Sequence, residues 1–153
     1  MTSPTTQADI QEFLDQNQFA VIGVSRNPKH FARYVFQTLK GKGYNVYPVN
    51  PFAERIGDER CYPTVHSLPE KVDGAIILLP SNKVLTVLQD ISDAQVARVW
   101  IQQHSETPEA IQFCLDHKIT VITGQCVLMF AEPIRGAHQF HRWIRKVTGS
   151  LPN

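Results

Sequence analysis

Phe19-Ala-Val-Ile-Gly-Val-Ser-Arg-Asn-Pro-Lys29 is the stretch on which the fold turns. Its opening run, Phe19 to Gly23, is apolar throughout, and a strand that is apolar on both faces belongs in a buried parallel sheet. The residues after it are turn-forming and basic, and then helical: Phe31, Tyr34, Val35 and Leu39 recur at helical spacing between Phe31 and Lys42. Gly43 stands where a helix C-cap belongs, and Tyr44-Asn-Val-Tyr-Pro48 reads as the next strand. One strand, one helix and a second strand are thereby predicted in sequence.

The same alternation continues outward. Upstream, Thr6 can cap a short helix whose Ile10, Phe13 and Leu14 share one face. Downstream, Gly74-Ala-Ile-Ile-Leu-Leu79 reads as a strand, and Ser81 as the cap of a helix carrying Val84, Val87, Leu88 and Ile91 on one side. Val96 to Ile101 is a further strand, followed by Thr107 as N-cap with Pro108 at the first helical position. Ile119-Thr-Val-Ile122 closes the series. The tail from Pro133 to Gly149 reads as one more helix with a basic outer face, which is expected to be solvated. Because a parallel crossover needs a helix to return the chain over the sheet, this order predicts an α/β, Rossmann-like, doubly wound and mostly parallel sheet with helices on both faces.

Length and charge bound the rest. A chain of 153 residues with 42% hydrophobic content is sized for one domain spanning 1–153, with its core over about 7–126 and the C-terminal helix over about 133–149. Fifteen Lys and Arg against 14 Asp and Glu give a formal charge of +1, too little field to hold a nucleic-acid backbone or an anionic membrane. Any anion site must be local. The three cysteines, Cys61, Cys114 and Cys126, form no CxxC pair and suit a reduced, cytoplasmic protein, where they read as buried small hydrophobes. No apolar run approaches the ~20 residues of a membrane helix, and the first residues lack the pattern of a secretory signal. The expected setting is soluble and cytoplasmic.

The turn after the first strand carries the chemistry. A loop leading into a helix N-terminus presents free backbone N–H groups and a positive dipole end to an anion. Gly23 permits close approach, Ser25 adds a hydroxyl, Arg26 and Lys29 add charge, and Asn27-Pro28 fixes the turn, a set suited to a pyrophosphate. The three glycines of the G-x-G-x-x-G dinucleotide fingerprint are replaced here by Gly23, Ser25 and Pro28. Where an acid would meet a free ribose stands Val49-Asn50-Pro51. This argues against NAD. Asn50 and Arg55 suit a phosphorylated ribose, which admits coenzyme A and, less well, NADP.

Phe19-Ala-Val-Ile-Gly-Val-Ser-Arg-Asn-Pro28, then Gly43-Tyr-Asn-Val-Tyr-Pro-Val-Asn-Pro51 and Gly57, resembles the small bacterial CoA-binding domain family over roughly residues 7–126. That family is similar to the CoA-binding domain at the start of the succinyl-CoA synthetase α subunit. The resemblance implies a Rossmann-like fold with the ADP end of coenzyme A, or of an acyl-CoA, over the strand ends. It implies that Gly23, Ser25, Arg26 and Lys29 meet the pyrophosphate, with Val24 counted among the binding residues; His30, by its place at the helix entrance, is a further candidate to touch phosphate. It assigns Asn50, Pro51 and Arg55 to the ribose or its 3′-phosphate, Leu79, Pro80, Ser81 and Val84 to the adenine, and Gln102 to the pocket rim. Three departures stand out: Phe52 where many relatives carry a basic residue, no basic residue in Leu78-Leu-Pro-Ser-Asn82, and Gln102-Gln-His104 in place of Gln-x-Gly.

Catalytic readings are weaker. Cys126 lies beyond the last strand, where a thiolate would meet a thioester, and His104 is a base the fold could bring to it. His138 and His141 stand three apart on the last predicted helix, with Glu132 or Cys126 as a conceivable third metal ligand. His66 reads as a loop residue. The expectation is a non-catalytic CoA binder, carrier or sensor. An NADP-linked oxidoreductase or redox-sensing module, and an interaction module with a vestigial pocket, are the alternatives. Pairing with a second copy or another protein is left open by the residues.

Overall fold

Within residues 5–131, which the computed structural model describes, helices and strands alternate almost throughout. Helix α1 (Gln7–Leu14) leads into β1 (Gln18–Ile22), α2 (Phe31–Gly41) and β2 (Asn45–Val49). A short hairpin, β3 (Arg55–Ile56) and β4 (Glu59–Arg60), comes next. The chain then forms β5 (Gly74–Ile77), α3 (Ser81–Asp93), β6 (Arg98–Ile101), α4 (Pro108–Asp116), β7 (Thr120–Ile122) and a 3-10 turn at Val127–Met129. The C-terminal helix expected over about 133–149 lies outside the described residues.

Five strands pair in the order β2-β1-β5-β6-β7, and every pairing is parallel. The chain leaves β1 toward β2 on one side and returns to β5 on the other. The order therefore reverses between β1 and β5, the place where doubly wound sheets hold their ligands. The hairpin β3–β4 stands apart from the sheet.

Alternation along β1 divides the core. Phe19 and Val21 point to one face, with α1 and α2 and with Trp100 and Ile122 of β6 and β7. Ala20 and Ile22 point to the other, with α3 and α4. Helices thus cover both faces of the sheet, and this is why Phe19 to Ile22 of β1 are apolar at both parities.

Local signals explain most element boundaries. Thr6 forms a capping box with Asp9, each side chain bonding the other's backbone N–H at 3.1 and 2.9 Å. The Thr107 hydroxyl accepts from the Ala110 N–H at 3.1 Å, with Pro108 next in line. Gly43 turns the chain at φ +97° after α2. Pro48 sits in the outermost strand, where its carbonyl accepts from Tyr62 N–H at 3.0 Å. In an extended strand the N and O of one residue face the same side, so the missing N–H of Pro48 faces away from β1 and costs no ladder bond.

Two local expectations are corrected. Pro80, not Ser81, occupies the N-cap of α3, with no side-chain cap, and Ser81 is the first helical residue. On α2, Phe31 and Tyr34 are 51% and 58% exposed, whereas the buried side comprises Ala32, Arg33, Val35, Phe36 and Leu39. The inward stripe is rotated because Ala32 and Phe36, one turn apart, meet the sheet, leaving Phe31 and Tyr34 on the outer side.

Candidate functional site

The switch point between β1 and β5 is closed tightly by Gly23. Its φ of +99° is a conformation that side chains rarely adopt, and a Cβ there would stand 2.4 Å from the Leu78 carbonyl oxygen. Gly23 N–H bonds the Val49 carbonyl at 2.9 Å, and Leu78 N–H the Ile22 carbonyl at 2.9 Å. The ends of β2, β1 and β5 are thereby laced together just where the loop begins.

The loop from Val24 to His30 is ordered by its own polar side chains. Ser25 Oγ accepts from Asn27 N–H at 3.0 Å, and Asn27 Oδ1 from Lys29 N–H at 3.0 Å. His30 is the N-cap of α2, its Nδ1 accepting from Ala32 N–H at 3.3 Å. Side chains that bond a backbone group two residues on fix a turn at little entropic cost. Arg26 and Lys29 remain exposed, and no ion pair reaches either among the described residues. A carboxylate is lacking from the first turn of α2. The dipole end of the helix and two cations thus face solvent together, an arrangement that favours a bound anion.

Arg33 holds this loop from beneath, a role sequence reasoning missed. It is only 8% exposed, and its Nη1 donates to the carbonyls of Arg26 and Ser25 at 3.0 and 3.4 Å. The Gln37 amide oxygen, turned toward it, accepts from Nε and Nη2 at 2.9 and 3.2 Å. A Cβ on Gly57, in the hairpin turn, would lie 3.2 Å from Nη2, so the guanidinium also lies close against that turn. The available signal was position: Arg33 follows Ala32 and precedes Phe36 by three, on the buried side of α2.

Asn50 ties the loop to the end of β2. Its Nδ2 donates to the Val24 carbonyl at 2.8 Å while its Oδ1 accepts from Phe52 N–H at 2.8 Å. Beyond it, Pro51, Phe52, Arg55 and Arg60 line an open groove of about 700 Å3. Arg55 Nη2 donates to the Asp58 carbonyl at 2.6 Å within the hairpin.

The structure brings Gly23, Ser25, Arg26, Lys29, His30, Asn50 and Pro51 to one edge, with Leu79 half-buried and Pro80 and Ser81 exposed at the end of the neighbouring β5. It separates others. Val84 is fully buried between α3 and the sheet, and Val24 is fully buried on the opposite face, so both side chains serve the core. Val84 therefore offers no surface to an adenine. Gln102 is 7% exposed, and its amide is spent on Cys126 Sγ at 3.0 Å and Val127 N–H at 3.2 Å. It braces the segment after β7 rather than forming a rim.

Among the described residues no histidine or carboxylate bonds the Cys126 thiol, and no three or more His, Cys, Asp or Glu side chains converge as metal ligands. His138, His141 and Glu132 lie outside the described residues. Burial raises the Cys61 thiol above its ordinary range and pushes Cys114 up to about 12. A second groove, of about 290 Å3 between Val65–Val72 and Asp93–Val96, opens at the amino ends of β5 and β6, away from the switch point. No helix among the described residues is long and apolar enough to cross a membrane.

A family model described as a CoA binding domain matches residues 17–132, a span that holds the whole sheet and the loop at its switch point. Over 87 residues the chain is 34% identical to the ADP-forming acetate–CoA ligase II of Archaeoglobus fulgidus, covering 56% of this chain and 13% of the ligase. Over 126 residues it is 30% identical to the ligase II subunit alpha of Pyrococcus furiosus, covering 75% of this chain and 28% of the subunit. The chain thus spans less than a third of either relative. A solved structure of a hypothetical protein from Pyrococcus horikoshii OT3 superposes with a TM-score of 0.76 at 26% identity, covering 84% of this chain and 94% of that one.

Proposed function

The chain belongs to the CoA binding domain family, and on that premise we propose that it binds coenzyme A or an acyl-CoA through the ADP and pyrophosphate end, as a non-catalytic binder, carrier or sensor. One observation carries the reading: the loop pinned at Gly23 enters α2 at the β1/β5 switch point with its backbone pre-ordered and with two exposed cations that form no ion pair among the described residues. In this pose the pyrophosphate lies against the loop and the N-terminus of α2, where Arg26 and Lys29 offset its charge. His30 lies beside it. The ribose lies toward Asn50-Pro51, and the base toward Leu79, Pro80 and Ser81. The pantetheine arm runs along the carboxyl ends of β5 and β6.

Pre-ordering matters because a loop that is already fixed loses little freedom on binding. The non-catalytic reading is supported at Cys126, whose thiol receives a hydrogen bond from the Gln102 amide, a group that is no base at neutral pH. Free thiols at Cys61, Cys114 and Cys126 support a cytoplasmic setting.

Thermal shift and calorimetry with CoA, dephospho-CoA and NADP test the reading. Saturation with CoA at about 100 times its dissociation constant is expected to raise the melting temperature by roughly 5–10 °C, with NADP giving less. No response to CoA would sink it. Lys29→Glu places like charge beside the pyrophosphate and Ser25→Trp fills its place. Both are expected to cut CoA affinity at least about tenfold, and unchanged affinity in both would refute the site.

A further inference from the structure

The loop between β6 and α4 holds a carboxyl group that the fold does not use. Gln102 N–H bonds the Ile77 carbonyl at 3.2 Å, so the loop starts against the carboxyl end of β5. Ser105 N–H returns to the Gln102 carbonyl at 3.0 Å, and His104, inside that turn, has φ +73°. Glycine is the usual occupant of such a position, so the histidine is held there against backbone strain. Gln103 N–H reaches the Gln125 carbonyl at 3.2 Å, and the Gln102 side chain clasps Cys126 and Val127. The turn is thereby fixed, and Glu106 follows directly after it.

Glu106 as a residue is half-buried, but its Oε2 is shut off from solvent and has no hydrogen-bond partner among the described residues. Helix capping does not account for it: the Thr107 hydroxyl serves the Ala110 N–H, and Glu109 supplies the acid of the first turn of α4. No ion pair among the described residues includes it. A buried carboxyl oxygen without a donor is unfavourable, and one short loop combines it with the left-handed His104. Strained and unsatisfied groups of this kind gather where a ligand is met. Position says which part of the ligand. Neighbouring strands are about 4.8 Å apart, so β6 lies roughly 10 Å across the sheet from β1 and its phosphate loop. An arm that starts at the pyrophosphate and runs along the ends of β5 and β6 brings its thiol end, with any acyl group, to this loop.

We infer that Glu106 determines specificity for the acyl group, and that the preferred ligands are thioesters whose acyl chain carries a hydroxyl or an amine. Rotation of its side chain brings the carboxyl to that donor and replaces an unpartnered position by a charge-assisted hydrogen bond. A plain hydrocarbon acyl chain leaves the carboxyl unpartnered, and one ending in a carboxylate is repelled. The inference rests on the CoA reading and deepens it by naming the acyl class. The pantetheine arm is common to every CoA thioester and neutral carbonyls suffice for its amides, so a carboxyl acceptor suits the part of the ligand that varies.

Calorimetry of the full chain with CoA, butyryl-CoA, 3-hydroxybutyryl-CoA and succinyl-CoA provides the test. The wild-type chain is expected to bind hydroxybutyryl-CoA at least about tenfold more tightly than butyryl-CoA, and succinyl-CoA more weakly than either. Glu106→Met removes the acceptor and brings the hydroxybutyryl preference close to one. Glu106→Gln removes the charge alone and brings succinyl-CoA up to butyryl-CoA. Glu109→Gln takes away an exposed acid on the neighbouring helix turn and is expected to keep both ratios. Both Glu106 variants should melt no lower than the wild type, because the oxygen they replace has no partner. Equal binding of hydroxybutyryl-CoA and butyryl-CoA by the wild type overturns the inference, as does a preference that survives Glu106→Met. A lower melting temperature in both variants makes Glu106 a structural residue, and an equal loss of affinity for unacylated CoA puts the donor on the pantetheine arm; either result also overturns it. In each of these cases CoA binding stands. Absence of binding to CoA and to every thioester overturns the CoA reading and this inference with it.

Discussion

The loop after β1 and the hairpin after β2 lie at the ends of neighbouring strands and are built on opposite plans. In the loop, Ser25, Asn27 and His30 spend their side chains on the backbone, so the surface offered to a ligand is backbone N–H, a helix dipole and two flanking charges. In the hairpin, the backbone pairs with itself over two residues per strand, and the side chains of Arg55, Arg60 and Phe52 face the groove. A backbone site suits a pyrophosphate, which every ligand of the class carries. Side chains projecting from a short hairpin can be exchanged without disturbing the fold.

Breaking the backbone plan should have the largest effect. Gly23→Val combines a conformation of φ +99° with a Cβ driven into the Leu78 carbonyl, and the expected loss is about 3 kcal/mol or more. Urea unfolding reads it directly, and a variant of wild-type stability with undiminished CoA binding would show that the loop is not held as described. Arg33→Met comes next. It leaves the Ser25 and Arg26 carbonyls without their donor, at a cost of about 2 kcal/mol. Because Arg33 underlies the loop, CoA affinity should fall along with stability. Undiminished CoA affinity in the destabilised variant would mean that the loop does not depend on this guanidinium. The smallest effect sharpens the picture at the helix cap. His30→Asn retains a side-chain acceptor for the α2 terminus and should change stability by less than about 0.5 kcal/mol, whereas His30→Ala should cost about 1 kcal/mol. Equal melting temperatures for the two would remove the capping role.

The five strands of the sheet and its four helices were legible because their pattern repeats over many residues. Phe19 to Ile22 could belong only to a buried strand, and Gly43, Thr107 and Pro108 marked boundaries by backbone chemistry. The hairpin was not legible, since two-residue strands carry no period and their pairing depends on a turn at Gly57-Asp58. Phe31 and Tyr34 misled because aromatic residues at helical spacing resemble an inward stripe, while the actual buried side includes a guanidinium. Arg33 illustrates the general difficulty: a buried cation is acceptable only where carbonyls converge on it, and that convergence exists only in three dimensions. For the site, Gly23 and Asn50 were recognised as important, but Asn50 works on the scaffold with both ends of its amide, and Val84 and Gln102 were assigned outward when packing draws them in.

Pro48 has a consequence beyond the geometry of β2. An outermost strand with every donor and acceptor free is a template on which another molecule's strand can dock, and growth from such templates is how parallel sheets aggregate. Here the outward side of β2 lacks one donor at Pro48, and the acceptor beside it is already taken by Tyr62. The segment around Tyr62 then closes the end of the strand through its bridge to Val49. Colloidal behaviour therefore rests on the one chain segment that both seals this edge and carries the hairpin.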